Sequence, residues 1–293
     1  MLALVWKSKG LSSGEALGRF KKELGLPGGR QGIGHTGTLD PFAEGVLLVG
    51  TDEGTKLLAP LTGLAKTYRA DIVFGRTSAT LDPESPSERP VDPRVIERIQ
   101  ALTNESLSAF LASRLGPFEQ IPPAFSAIHV NGQRSYELAR KGQAVELKAR
   151  PATLLKARSL GLRESGAEER VWTVEVEVSS GTYIRCLGRD WAQELVGFPG
   201  QLDSLVRTHV GPFGSQPTES LLARKLTIQD LQQLFEIIRV TPQEGLRLKQ
   251  GAWAPRPLER PALLIDEGTG EVRAWIEPAT GKLGRLLLAD PFG

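Results

Sequence analysis

Gly34-His35-Thr36-Gly37-Thr38-Leu39-Asp40-Pro41 is the stretch on which the reading of this chain turns. With Gly32 in front, it satisfies G-x-G-x-x-G through Gly32, Gly34 and Gly37, the pattern of dinucleotide-binding turns. That pattern works only where a strand leads in and a helix leads out, because the pyrophosphate has to meet a helix N-terminus. The lead-in here is helical instead. Ser12 and Glu15 form a Ser-x-x-Glu capping box ahead of Ala16, Leu17, Phe20 and Leu24 at helical spacing, and Gly25 and Pro27 end the run. The exit is Leu39-Asp40-Pro41, and no Gly-Lys-Ser/Thr follows. A dinucleotide turn and a P-loop are both excluded. Residues 28–41 read as an ordered loop whose glycines let the backbone approach a bulky group or adopt φ > 0.

Outward from the loop, 46–49 reads as a buried strand, and 66–74 as another, with Tyr68, Ala70, Ile72 and Phe74 alternating. Pro83, Pro86, Pro90 and Pro93 mark 76–93 as a loop leading into helices at about 93–101 and 105–114. After the break at Ile121-Pro122-Pro123, residues 127–130 and the turn Asn131-Gly132 suggest a hairpin, with a short helix around 135–141. The alternation at 171–178 predicts a half-buried strand that runs through 179–185 into a helix ending near 195. A strand at 205–210 and a helix at 227–237 follow. From about Val240 the chain turns to short strand-like pieces broken by Gly and Pro. Strands and helices mixed in this order give an α+β (mixed α/β) fold, divided into a domain at 1–237 and a small β-rich one at 238–293.

An apolar share of 40% and a charged share of 24% are ordinary for a soluble globular protein. The one cysteine, Cys186, excludes an internal disulfide and a thiolate zinc site. His35, His129 and His209 are too scattered for metal ligation, so no metal site is expected. There is no 18-residue apolar stretch, and 1–7 is a short apolar run without a cleavage site. A cytoplasmic protein is the expectation. Net charge is only +2, but its distribution is uneven. Arg134, Arg140, Lys141, Lys148, Arg150, Lys156, Arg158 and Arg163 crowd 134–163, residues 1–30 are also basic, and acids collect at 82–105 and 164–177. Such asymmetry fits one face for a polyanion, though charge alone favours a merely solvated face.

The loop also has company elsewhere in the chain. Gly34–Pro41 with Ala43, Gly45, Val46 and Leu47 resembles the signature loop of TruB-type pseudouridine synthases. Lys66-Thr67-Tyr68-Arg69 resembles that family's K-x-Y strand, and Ile121-Pro122-Pro123-Ala124-Phe125-Ser126-Ala127 its P-P-x-[YF]-S-A segment. Ser180-Gly181-Thr182-Tyr183-Ile184-Arg185 resembles its G-T-Y-I-R motif. Leu205-Val206-Arg207-Thr208 with Gly211-Pro212-Phe213 resembles its L-x-R-T-x-x-G-P-F run. The matches fall in family order from residue 1 to about 215. One departure stands at Ser78-Ala79-Thr80-Leu81-Asp82-Pro83, where the family often has T-D-T-x-D followed by glycine.

The resemblance implies a catalytic domain with a mixed, largely antiparallel central sheet and a small C-terminal PUA-like module. It implies conversion of uridine 55 in the tRNA T-loop to pseudouridine, without metal or cofactor. The chemistry breaks N1–C1′, turns the base and joins C5 to C1′. One aspartate serves whether it attacks C1′, takes the C2′ proton or adds at C6. By resemblance that aspartate is Asp40. Arg185 would hold its carboxylate through charge-assisted hydrogen bonds, Tyr68 would stack on the flipped base, Tyr183 and Leu205 would line the pocket, and His35 would contact the target.

Plain structural readings compete with these roles. Asp40 before Pro41 fits an N-cap with proline at N1, Tyr68 and Tyr183 in strands fit core aromatics, and Arg185 fits a surface ion pair. The resemblance further implies an RNA-binding thumb at about 117–150, which would carry Arg134, Arg140, Lys141 and Arg150. Guide-RNA-dependent relatives have serine where Thr36 stands and larger termini. A stand-alone monomer acting on the T-arm, without obligatory protein partner, is therefore the expectation. A catalytic subunit of a guide-RNA-dependent enzyme, and a tRNA-binding or folding protein with incidental catalysis, are the alternatives.

Overall fold

Leu2-Ala3-Leu4-Val5-Trp6-Lys7 forms strand β1 (Leu2–Lys7), every residue of it buried. The capping box read from Ser12 and Glu15 is present and starts helix α1 (Ser13–Glu23), which buries Ala16, Leu17 and Phe20. The expected loop contains a short strand, β2 (Ile33–His35), paired antiparallel with β3 (Glu44–Thr51). No helix follows Asp40-Pro41, which opens a turn instead, so the N-cap reading is set aside. β1 and β3 pair antiparallel from Leu2↔Gly50 to Lys7↔Gly45. A 3₁₀ turn (Asp52–Leu57) and helix α2 (Leu58–Thr62) close back over them. That closure requires Gly54, where a Cβ would sit 2.1 Å from the Met1 carbonyl oxygen.

The next stretch alternates as the sequence predicts. In β4 (Lys66–Phe74), Lys66, Tyr68, Ala70, Ile72 and Phe74 are buried on one face. A two-residue pair, β5 (Thr77–Ser78) and β6 (Ser87–Glu88), brackets the proline-rich loop. Helices α3 (Pro93–Gln100) and α4 (Asn104–Ala112) start on the caps Asp92 and Thr103. Then come β7 (Gly116–Gln120), the pair β8 (His129–Val130) and β9 (Gln133–Arg134), β10 (Arg150–Glu164), β11 (Arg170–Val178), α5 (Ile184–Val196) and β12 (Gln201–Val210). β12-β4-β11-β10-β7 is an antiparallel array. On one face Trp172 packs between Phe74, Phe110 and Trp191 at ring-centroid distances of 5.8–6.4 Å. Helix α5 reaches this face through Gly188, where a Cβ would come 3.0 Å from Leu202 Cδ2. The opposite face carries a cross-strand ladder of charges, Lys156–Glu177, Arg158–Glu175 and Arg163–Asp71, whose acidic partners are half-buried.

The remainder comprises β13 (Phe213–Gly214), β14 (Leu222–Lys225), α6 (Ile228–Leu231) and β15 (Glu236–Val240), then β16 (Ala262–Asp266), β17 (Val272–Ile276) and β18 (Leu283–Leu286). β14 pairs with β1, and β15-β16-β17-β18 forms a small sheet over Val240, Leu258, Ala262, Leu264, Ala274 and Ile276. The 227–237 helix is corrected here. It stops at Leu231, where Leu234 and Phe235 turn back onto the Leu231 carbonyl, and Glu236-Ile237-Ile238 is drawn into a strand by parallel pairing with β16.

The structure, a computed structural model, describes residues 1–25, 32–125, 129–130, 133–134, 147–216, 221–241, 243–244, 247, 258–277 and 283–286. The helix expected at 135–141 lies outside them. The described chain falls into two compact units, Met1–Pro41 with Gly45–Leu64 and Pro212–Gly293, and Phe42–Glu44 with Ala65–Gly211. The mixed α/β class and the largely antiparallel sheet agree with the sequence reading. Among the described residues no helix is long and apolar enough to cross a membrane.

Candidate active site

In the first unit the loop of Asp40 is fixed from both sides. Ser13, buried at the start of α1, donates its hydroxyl to the Leu39 carbonyl at 3.0 Å and accepts the Leu39 N–H at 2.9 Å. On the other side the Pro41 carbonyl accepts the Gly10 N–H at 2.7 Å. Lys7, fully buried, donates its ammonium to the carbonyls of Leu11 at 2.6 Å, Ser8 at 3.2 Å and Pro41 at 3.4 Å. Asp40 sits between these anchors with a half-buried side chain. Upstream, the Gly37 N–H donates to His35 Nδ1 at 3.1 Å. This bond makes Nδ1 an acceptor and leaves Nε2 as the protonated nitrogen of a neutral ring. His35 is half-buried and the loop continues through Thr36, whose N–H bonds the Leu48 carbonyl.

The second unit holds Tyr68, Tyr183, Arg185 and Leu205. Antiparallel register sets Tyr68 opposite Val176 on one side and Arg207 on the other, with Leu205 two pairs along opposite Ala70. Directly opposed residues share a sheet face, so Tyr68, Leu205 and Arg207 lie together on the face against which α5 packs. All three are almost fully covered. Lys66, two residues before Tyr68 on the same face, donates to Ser180 Oγ at 2.9 Å. Burial, helped by the Arg207 charge, pulls its ammonium from the usual 10.5 down to about 8. Tyr183 is the N-cap of α5 and not, as the alternation suggested, a strand residue. The strand ends at Val178 because the turn at Ser179–Gly181 carries Gly181 at φ +88°.

Arg185 is buried in the first turn of α5, not on the surface. Its guanidinium donates to the Thr80 carbonyl at 2.7 Å and the Phe125 carbonyl at 3.0 Å, and pairs with Asp82 Oδ2 at 3.3 Å. Asp82 is buried too and is itself held. Its Oδ1 accepts from Thr80 Oγ1 at 2.6 Å and from the Glu84 N–H at 3.0 Å, and its backbone is bracketed by Ser78 Oγ. Leu81 before it adopts φ +62°, an uncommon left-handed conformation for leucine, and is anchored through its carbonyl to the Leu202 N–H. Sequence reasoning noted Asp82 only as a departure from a motif. Its surrounding Ser78, Thr80 and Ser85, all able to bond a carboxylate or its loop, were the available signal. Lys7 and Ser13 were missed as well. The lysine closing an otherwise apolar run was the trace of the first, and nothing local marks the second.

Of the cations assigned to RNA, Arg150 is exposed at the start of β10. Arg134 lies in β9, for which only the backbone is described, and Arg140 and Lys141 fall outside the described residues.

A family model described as TruB family pseudouridylate synthase (N terminal domain) matches residues 27–184. A tRNA pseudouridine synthase B of Paenarthrobacter aurescens is 38% identical over 98% of this chain and 90% of its own length. That of Corynebacterium diphtheriae is 33% identical over 99% and 96%, and that of Mycolicibacterium paratuberculosis 41% identical over 75% and 71%. A chain from a crystal structure of a Cbf5–Nop10–Gar1 complex superposes with a TM-score of 0.57 at 18% identity, covering 99% of this chain and 83% of that one. One from an H/ACA ribonucleoprotein bound to a substrate RNA containing 2′-deoxyuridine gives 0.58 at 18%, covering 100% and 84%. These two speak for the fold alone. With the family model over more than half of the chain and relatives matched nearly end to end, the chain belongs to the TruB family of pseudouridylate synthases.

Proposed function

We propose that this chain isomerises uridine 55 in the T-loop of tRNA to pseudouridine, with Asp40 as its nucleophile. The observation that carries the proposal is the double anchoring of Asp40. Ser13 holds the peptide before it, Gly10 and Lys7 hold the carbonyl after it, and the carboxylate is carried by a backbone bonded on both sides. A nucleophile or base that reacts within a bound complex needs such fixed placement. The family loop and the names of the full-length relatives support the same reading.

In this reading the target uridine leaves its stack, which costs a few kcal/mol and requires a replacement surface. Tyr68 supplies an aromatic face, Leu205 an apolar wall beside it and Tyr183 a second ring. Asp40 acts on the ribose or the ring, N1–C1′ breaks, the base turns, and C5–C1′ forms. The C5 proton is lost and N1 ends protonated, so the reaction is a net isomerisation. Arg185 brings a guanidinium whose orientation Asp82 and two carbonyls fix, and His35 presents a neutral imidazole to the target nucleotide. Arg134, Arg140, Lys141 and Arg150 contribute to holding phosphates, giving salt-dependent affinity.

Residues 1–237 would form the catalytic domain with its thumb at about 117–150, and 238–293 a small PUA-like RNA-binding module. The enzyme works as a cytoplasmic monomer without obligatory protein partner. The test is pseudouridine formation by the purified chain alone on a bare T-arm stem-loop, read by mass spectrometry. A product at the position equivalent to 55 supports the reading. Activity that appears only with a guide RNA and added proteins would assign the chain to the guide-dependent class instead.

A further inference from the structure

Helix α5 starts at Tyr183, yet Tyr183 makes no side-chain cap for it. Helix N-termini leave backbone donors without intrahelical partners, and a tyrosine ring cannot reach back to them as Ser or Asp does. Here the backbone of the cap residue is taken up by a different element. Gln120, the last residue of β7 and 3% exposed, accepts the Tyr183 N–H on Oε1 at 2.8 Å and donates Nε2–H to the Tyr183 carbonyl at 3.1 Å. One primary amide therefore bonds both backbone groups of one residue, as a neighbouring strand would, while the carbonyl also accepts the Cys186 and Leu187 N–H groups of the helix. Among neutral side chains only Asn and Gln offer a donor and an acceptor at that spacing. The contacts continue along the helix. The Phe125 carbonyl accepts from Arg185 and the Ile121 carbonyl from Arg189 at 3.2 Å, so residues 120–125 grip α5 over its first two turns.

We propose that Gln120 is a positioning residue for the isomerisation. By holding both backbone groups of Tyr183 it fixes where α5 begins, and with it the Tyr183 ring and the Arg185 guanidinium two residues on. The inference rests on the reading of Tyr183 and Arg185 as substrate-site residues. A misplacement of about 1 Å at such a site costs on the order of 100-fold in rate, so a loosened clamp acts on turnover and not on RNA affinity.

The test is Gln120→Met, similar in length but without donor or acceptor, measured by single-turnover pseudouridine formation at saturating enzyme and by tRNA filter binding. The rate is expected to fall at least tenfold with tRNA affinity within about threefold of wild type. Combined with Arg185→Lys, its effect is expected to be far from additive, because both act on one group, whereas a general loss of stability adds independently. A wild-type rate for Gln120→Met, or strict additivity, overturns the clamp. If Arg185→Lys and Tyr183→Ala themselves retain wild-type rates, the site reading fails independently of Gln120. Should Gln120→Met not fold, amide hydrogen exchange of the wild-type protein decides. Strong protection of the Tyr183 amide is expected, and exchange as fast as at exposed Gly181 overturns the inference.

Discussion

Asp82→Asn is the perturbation whose consequence follows most directly from the geometry. The substitution keeps the shape and one side-chain oxygen, so the bonds from Thr80 Oγ1 and the Glu84 N–H can persist. It removes the negative charge 3.3 Å from the Arg185 guanidinium, in a place where Asp82 is 2% and Arg185 4% exposed. At an effective dielectric constant of about 20 that attraction is on the order of 5 kcal/mol before desolvation is counted. Breaking a buried pair from one side costs roughly 3–5 kcal/mol, because the remaining charge stays buried. The amide NH2 then faces the guanidinium, and only the Thr80 and Phe125 carbonyls that already accept from it offset part of this, leaving about 2–3 kcal/mol. If that penalty falls on holding Arg185 in its reactive orientation, the rate drops about 30- to 150-fold. The assay is single-turnover release of tritium from C5-labelled uridine in a T-arm substrate, with thermal unfolding in parallel. A rate within threefold of wild type would refute the argument that Asp82 organises Arg185.

Three further outcomes are expected. Ser13→Ala removes both bonds to Leu39 and should cost about 1–3 kcal/mol of stability, with a larger loss in turnover than in tRNA affinity; equal loss of both would show that the anchor is only structural. Lys66 has its folded pKa, about 8, below the ordinary 10.5, so the unfolded chain binds that proton more tightly. The resulting penalty of about 3 kcal/mol is present in full below pH 8 and is relieved as pH rises toward 10.5. Unfolding of wild type compared with Lys66→Met should show wild type gaining relative stability from pH 7.5 to 9.5, and a constant difference would contradict the assigned burial. Gly54→Ala should severely destabilise the fold, since its Cβ would overlap the Met1 carbonyl; a melting temperature within a few degrees of wild type would contradict that packing.

Much of this architecture was legible in the sequence because local physics and global packing agree there. The capping box at Ser12, the alternation of 66–74 and that of 171–178 each produced the expected element. β10 was not foreseen, since its 15 residues show no steady alternation and its Lys156 and Arg158 pair with Glu177 and Glu175 across the strands, a match invisible without register. The helix at 227–237 failed because apolar residues at both periods fit Leu231–Ile238, and packing chose a turn and a strand. For the candidate site, the motifs nominate Asp40, His35, Tyr68, Tyr183, Arg185 and Leu205, but not what holds them. Ser13, Asp82 and Gln120 act through bonds to partners 26, 103 and 63 residues away, and no local pattern encodes such pairings.

The central claim is that Asp40 carries the chemistry on tRNA. The most direct measurement is the pseudouridine content at position 55 of T-arm RNA after incubation with the wild-type chain and with Asp40→Asn, alongside tRNA binding by both. The account predicts full conversion by wild type and none by Asp40→Asn, with binding retained. Pseudouridine formed by Asp40→Asn would contradict it.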